Sequence, residues 1–143
     1  MIIEEDGSMF QNNHGTLVCP VNMIGTMGKG LALYFKNRYH GLFRFYRTHC
    51  DQGSFRDFSS VLFRGQQNVI LFPSKIHWAN DSKVQWINEG LQKLRELCER
   101  EGIMEIGLPP VGCGNGNLEF KDVRFLVYHH FENSPVRVHL YSP

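Results

Sequence analysis

The sequence predicts a three-layer α/β/α domain around a central mixed sheet, and three features predict it. Short apolar runs bounded by turn residues alternate with amphipathic stretches of helical period. Two of those runs, "GTLVCPVN" and "IMEIGLP", pass directly into glycine-rich loops, as strands do when they feed ligand loops at a sheet rim. A third pair of runs, in "VLFRGQQNVILF", reads as an antiparallel hairpin. No linker, internal repeat or low-complexity stretch divides the chain, so residues 1–143 are expected to form one domain.

The elements follow in order. Residues 1–4 read as a first strand, and Leu17, Val18 and Cys19 form the middle of a second, buried one. From Gly28 the pattern turns helical, with Leu31, Tyr34, Phe35 and Arg38 on a stripe. Gly41 marks a break, after which Phe43 and Tyr46 continue the stripe. The hairpin pairs Val61–Phe63 with residues 69–72 around a turn at Gly65, and its second strand closes at Pro73. "DSKVQWINEGLQKLRELCEREG" is the clearest helix. Val84, Ile87, Leu91, Leu94 and Cys98 share one face, Ser82 and Gln85 stand at capping-box spacing, and Gly102 supplies the stop. The strand "IMEIGLP", the loop "VGCGNGNL", the helix "FKDVRFLVYHHF" and the strand "VRVHLY" complete the chain.

Composition narrows the function classes. Hydrophobic residues make up 42% and charged residues 20%, which supports a packed core and excludes a disordered chain. A net charge of +1 does not mark a general nucleic-acid or membrane binder. None of Cys19, Cys50, Cys98 and Cys113 forms a C-x-x-C pair or stands at finger spacing from a histidine. Neither a zinc site nor a disulfide framework is expected, and the thiols read as small core hydrophobes in a reducing compartment. The first residues carry no basic region followed by a long apolar run, so the cytoplasm is the expected location, with no membrane partner.

Chemistry concentrates at the predicted strand ends. The first loop spaces its glycines as Gly25-x-x-Gly28-x-Gly30, which fits neither the dinucleotide fingerprint nor a Walker A loop. Glycines nevertheless let backbone N–H groups approach an anion, and a helix N-terminus points positive charge at it. The second loop runs from Gly112 to Gly116. Two such cradles at one rim suit a nucleotide with linked phosphates, held by backbone rather than by side-chain charge.

"LFPSKIHW" makes a third end at that rim. Lys75 is either a solvated charge or an amine partly desolvated by Phe72, Pro73, Ile76 and Trp78, and desolvation would favour the free, nucleophilic form. Asn22 either turns a strand end or offers its amide to a ribose hydroxyl. Glu119 and Asp81 read as helix caps or surface charges, so the paired carboxylates of most glycosidases are missing. His129 and His130 are neighbours on a helix and point to different faces.

Three blocks together, "VNMIGTMGKGLALYFKNRY", "ILFPSKIHW" and "LPPVGCGNGNLEF", resemble a macrodomain of the DarG type. The resemblance runs through nearly the whole chain, and the related terminal ADP-ribose protein glycohydrolase looks similar over the same span. It implies a macrodomain fold and an ADP-ribosyl glycohydrolase that removes ADP-ribose from thymidine in DNA. ADP-ribose is then the ligand or product, with no cofactor and no metal. Lys75 stands where the family keeps its catalytic lysine, and Asn22 faces the distal ribose as a second catalytic candidate. Ser8, Met9, Gly25, Met27, Gly28, Lys29, Gly30 and Pro73 are the implied ADP-ribose contacts of the first half. Gly112, Cys113, Gly114, Asn115 and Gly116 stand at the phosphates.

Two departures from the family pattern matter. Ser8 replaces the acid with which many macrodomains read adenine. Asn115-Gly116-Asn117 lacks the aspartate of the protein-directed relative, which favours the DNA-directed branch and leaves the water-activating group unassigned. The implied partners are ADP-ribosylated single-stranded DNA and a DarT-type toxin as antagonist. Arg38, Arg44, Arg47, Arg56 and Arg64 offer charge to DNA, and Trp78 and Trp86 offer rings for stacking. A monomer is expected, either a stand-alone enzyme or the catalytic piece of a longer antitoxin. Two other readings of the same blocks stand beside this one: an ADP-ribose-binding module without catalysis, and a hydrolase of ADP-ribosylated acidic side chains or O-acetyl-ADP-ribose.

Overall fold

Strand alternation sorts the apolar side chains onto two faces. In β2 (Thr16–Val21), Leu17, Cys19 and Val21 point one way and Val18 the other. In β4 (Asn68–Pro73), Val69 and Leu71 join the first set, and Ile70 and Phe72 the second. The computed structural model, which describes residues 1–143, shows both sets buried and each covered by its own helices.

The six-stranded sheet runs β1 (Ile2–Glu5), β6 (Arg137–Tyr141), β5 (Glu105–Leu108), β2, β4, β3 (Val61–Phe63). Every neighbouring pair is parallel except the β3–β4 hairpin, so the sheet is mixed as expected. Helices α1 (Gly30–Arg38) and α2 (Leu42–Asp51) bury Phe35, Leu42 and Tyr46 against the first face. Gly41 breaks the stripe between them with φ of 84°, a conformation that glycine adopts at little cost. Helices α3 (Val84–Glu101) and α4 (Phe120–Phe131) cover the second face with Ile87, Leu91, Leu94, Val123, Val127 and Phe131. Burying each such apolar side chain contributes about 1.5–3 kcal/mol. Gly90 lets α3 approach the sheet closely, because a Cβ there would meet the Phe72 ring at 2.7 Å.

Two sequence expectations are corrected. The first helix starts at Gly30 rather than Gly28, which leaves Gly28 and Lys29 in the loop. The Ser82–Gln85 capping box does not form. Helix α3 begins at Val84, and Lys83 precedes it with no side-chain cap. The Ser82 hydroxyl donates instead to the Ser74 carbonyl, and its N–H donates to the Gly116 carbonyl at 3.0 Å. Tertiary partners outcompete the local cap.

Parallel pairing decides where the loops go. Val21 of β2 is in register with Pro73 of β4, and the Ser74 N–H donates to the Val21 carbonyl at 2.9 Å. β5 runs parallel to β2, so three strand ends open onto one rim. No helix is long and apolar enough to cross a membrane.

On the α4 side of β1, Glu4 accepts both Nε and Nη2 of Arg124 at 2.7 Å and the Tyr128 hydroxyl at 2.8 Å. The Arg124 hydrogen bond is the main cause that holds the Glu4 carboxyl down at about 2, against an ordinary 4.5. A depressed folded value stabilises above the ordinary one and loses that stabilisation as pH falls toward 2. The pair is about half exposed, so screening by solvent keeps its contribution small. Arg124→Met should therefore lower stability modestly in urea unfolding at pH 7. The gap to wild type should narrow steadily as pH falls toward 2; a gap that stayed constant over that range would contradict the pairing.

Candidate active site

The rim opens into a cleft of about 730 Å³, within the usual range for a small-molecule site. Asn22, Thr26, Gly28, Lys29, Gly30 and Leu31 line it from the first loop and α1, Ser74, Lys75 and Trp78 from the end of β4, and residues from Pro109 to Gly116 from the end of β5.

The first loop is shaped by Asn22. Its Oδ1 accepts the N–H groups of Ile24, Gly25 and Thr26 at 3.1, 3.2 and 3.4 Å and the Tyr46 hydroxyl at 2.7 Å. Its Nδ2 donates to the Thr26 carbonyl at 3.1 Å and to Thr26 Oγ1 at 2.8 Å. Every donor and acceptor of the amide is thus spent on the turn. Of the two sequence readings, the strand-end turn is the one this geometry carries. Gly25 has φ of 95°, and the Arg47 side chain lies against its Cα. Gly28 keeps an ordinary φ and faces open space, so its missing side chain leaves room in the cleft rather than relieving strain.

The second loop is a 3₁₀ turn, Gly114–Gly116, flanked by left-handed Gly112 and Asn117. A Cβ on Gly112 would meet Leu118 at 2.8 Å and Ile87 at 3.0 Å. Asn117 Nδ2 donates to Asp81 Oδ1 at 2.7 Å, so Asp81 braces this loop rather than capping a helix. The two loops also approach each other: the Asn115 amide nitrogen would lie 3.2 Å from a Cβ on Gly30, whose φ is 61°.

Lys75 stands between them, half-buried. Its Nζ donates to the Trp78 carbonyl at 3.2 Å and to the Asn115 carbonyl at 3.1 Å. Burial is the main cause that lowers its pKa below the ordinary lysine value. Lys29 adds to the lowering, and Asp81 opposes it. The sequence reading of a partly desolvated amine describes it better than a solvated charge. Cys113 is no rival nucleophile: burial pushes its thiol up to about 11, so it stays protonated at neutral pH.

Several residues expected at the ligand lie elsewhere. Met9 and Met27 are buried in the core under α1 and α2, and Pro73 is buried at the last position of β4. Gly25 packs behind the loop against Arg47. Ser8 is exposed outside the cleft wall, and its Oγ accepts the Phe10 N–H at 3.2 Å. Conversely, Pro109, Pro110 and Pro143 line the cleft although the sequence reading assigned them no role. The two prolines were visible in the quoted block; nothing local marks Pro143.

This fold, with two glycine loops meeting at the ends of parallel strands, defines a class. The macro domain model matches residues 18–127, and the chain belongs to that family. Within it the DarG resemblance holds. A Mycobacterium tuberculosis protein called DNA ADP-ribosyl glycohydrolase is 34% identical over 149 aligned positions, which cover 100% of this chain and 42% of that protein. The Thermus aquaticus protein of the same name is 31% identical over 96% of this chain and 40% of its own length. The chain thus spans less than half the length of these curated relatives. The macrodomain of M. tuberculosis DarG superposes with a TM-score of 0.94 at 34% identity, covering 100% of this chain and 98% of that one. Thermosipho africanus DarTG in complex with ADP-ribose superposes at 0.91 with 29% identity, over 99% of this chain and 42% of that one.

Proposed function

We propose that the chain is an ADP-ribosyl glycohydrolase that removes ADP-ribose from thymidine in DNA and uses Lys75 as its nucleophile. One observation carries the reading: the Lys75 amine is held between the two glycine loops by the carbonyls of Trp78 and Asn115. A neutral amine has two N–H bonds and one lone pair. Two carbonyls occupy the N–H bonds, and the lone pair remains for a carbon in the cleft. The names of the DarG relatives and the ADP-ribose complex of the Thermosipho structure support the choice of ligand.

In this reading the diphosphate rests on the backbone of the loops and the distal ribose faces Lys75. The amine attacks the anomeric carbon, its lone pair forming the new C–N bond as the bond to the thymine ring nitrogen breaks, and the proton it loses passes to that nitrogen. The lysine adduct, ring-closed or ring-opened as a Schiff base, then adds water, which expels the amine and releases ADP-ribose. Loop N–H groups stabilise charge that develops along the way. Asn22 shapes the loop that does this and acts as a positioning residue. A DarT-type enzyme would supply the substrate, consistent with the fused transferase and glycohydrolase named in Thermosipho africanus. Trp78, about half exposed near Lys75, would stack on the base in this reading.

The deciding assay compares thymidine-linked ADP-ribose on single-stranded DNA with glutamate-linked ADP-ribose and O-acetyl-ADP-ribose. Release from DNA is expected to be faster by an order of magnitude or more. Equal or faster release from the other two would move the substrate assignment, and binding without release from any of them would leave an ADP-ribose reader.

A further inference from the structure

Opposite the α4 face, at the end of the sheet away from the hairpin, lies a second cluster with no part in the cleft chemistry. Alternation puts Glu5 of β1 and His139 and Tyr141 of β6 on this face. His14, from the segment entering β2, lies over Gly107 of β5, where a Cβ would come within 2.9 Å of its ring. The His14 and His139 ring centroids are 4.2 Å apart. One ligand atom each from Glu5, His14 and His139 lies within 4.8 Å of the others.

The hydrogen bonds leave one atom unexplained. His139 Nε2 lies 3.0 Å from Glu105 Oε2. A carboxylate can only accept, so Nε2 donates in this hydrogen bond. The other ring nitrogen is Nδ1. It is buried without a hydrogen-bond partner, on a side chain only 14% exposed. Its neighbour is Glu5 Oε2 at 3.7 Å, too far for a hydrogen bond.

We propose that Glu5, His14 and His139 form a binding site for a divalent transition-metal ion of the zinc type. Two imidazole nitrogens and one carboxylate are a recognised zinc donor set, leaving a fourth position to water. Around a tetrahedral ion with bonds of ~2.0 Å, ligand atoms stand ~3.3 Å apart, so a modest inward closure completes the site. The outer partners are already in place. Glu105 fixes the His139 tautomer, and the Tyr141 hydroxyl lies 2.7 Å from His14 Nε2 and 3.3 Å from Glu5 Oε2. Such an ion would tie the segment between β1 and β2 to the end of β6, two residues before the cleft-lining Pro143. The cysteine spacings that argued against zinc could not reveal this site, because its donors come from residues 5, 14 and 139.

The test is a calorimetric titration of zinc chloride into the purified chain, read together with thermal unfolding and the visible spectrum of added cobalt(II). The expected result is one ion per chain, a higher unfolding midpoint with zinc, and the absorption bands of tetrahedral cobalt without thiolate charge transfer. Glu5→Gln and His14→Gln should each weaken binding by roughly tenfold or more, and Glu105→Gln by about tenfold, while His130→Gln leaves it unchanged. If His139 is simply protonated between Glu5 and Glu105, zinc will bind weakly or not at all, and the proposal fails. It also fails if Glu5→Gln and His14→Gln bind zinc as wild type does, or if cobalt shows thiolate ligation. The cobalt spectrum of the wild-type chain decides the question even if a variant does not fold.

Discussion

Lys75→Ala is expected to abolish hydrolysis of DNA-linked ADP-ribose while leaving ADP-ribose binding within a few-fold of wild type. Removing a nucleophile that begins the reaction should lower kcat by about a thousandfold or more, equivalent to roughly 4 kcal/mol of barrier. Binding should survive because the phosphate contacts come from loop backbone. Lys75→Arg separates the two roles of the side chain. It restores positive charge but supplies no free amine near neutral pH, so it should be as inactive as alanine. The pH profile adds a signed check. In the proposed mechanism the base form of Lys75 reacts, so kcat should rise with pH through a midpoint below the ordinary lysine value. Lys29 pushes that midpoint down and Asp81 pulls it up. Lys29→Gln should therefore move the rising limb to higher pH, and Asp81→Asn to lower pH. Wild-type turnover in Lys75→Ala, or limbs that move the other way, would remove the amine from the mechanism.

Asn22→Ala should fail in a different manner. The substitution leaves three N–H groups of the first loop without their shared acceptor and takes one partner from the buried Tyr46 hydroxyl. Of these groups the Gly25 N–H and the Tyr46 hydroxyl are buried, and the loss should cost about 2 kcal/mol in total, a fall of roughly 5 °C in Tm for a chain of this size. ADP-ribose affinity should drop with it, because the loop backbone loses its form. The kcat of the bound fraction should fall far less than in Lys75→Ala. Tyr46→Phe, at a residue outside the cleft, should reproduce the pattern at about 1 kcal/mol. An Asn22→Ala variant with wild-type Tm and affinity but no turnover would instead place the amide at the substrate.

The contrast between these two residues shows what a sequence discloses. The sequence leaves Lys75 either solvated or partly desolvated, and its neighbours Phe72, Pro73, Ile76 and Trp78 are the local signal for the second reading. Strand and helix periods likewise exposed the six strands, the break at Gly41 and the face shared by Ile87, Leu91 and Leu94, since each depends on nearby residues. Ser82 looked like a cap because its spacing to Gln85 is a local signal. Its real partners, Ser74 and Gly116, are distant in the chain and invisible to that signal. The same limit explains Met9, far upstream of the loops, and Met27, inside the first one, which both turn into the core, and Pro143, which reaches the cleft only because β6 lies beside β5.

Ser82 has a further consequence. Its hydroxyl and N–H fasten the exit of β4 to the second loop, while Lys75 fastens that same loop through Asn115. These bonds join the β4 exit and the second loop with no nucleotide present, so much of their ordering entropy is lost when the chain folds. A visitor meets a preformed mould, so association should run at the pace of diffusion and docking rather than wait on a closing motion.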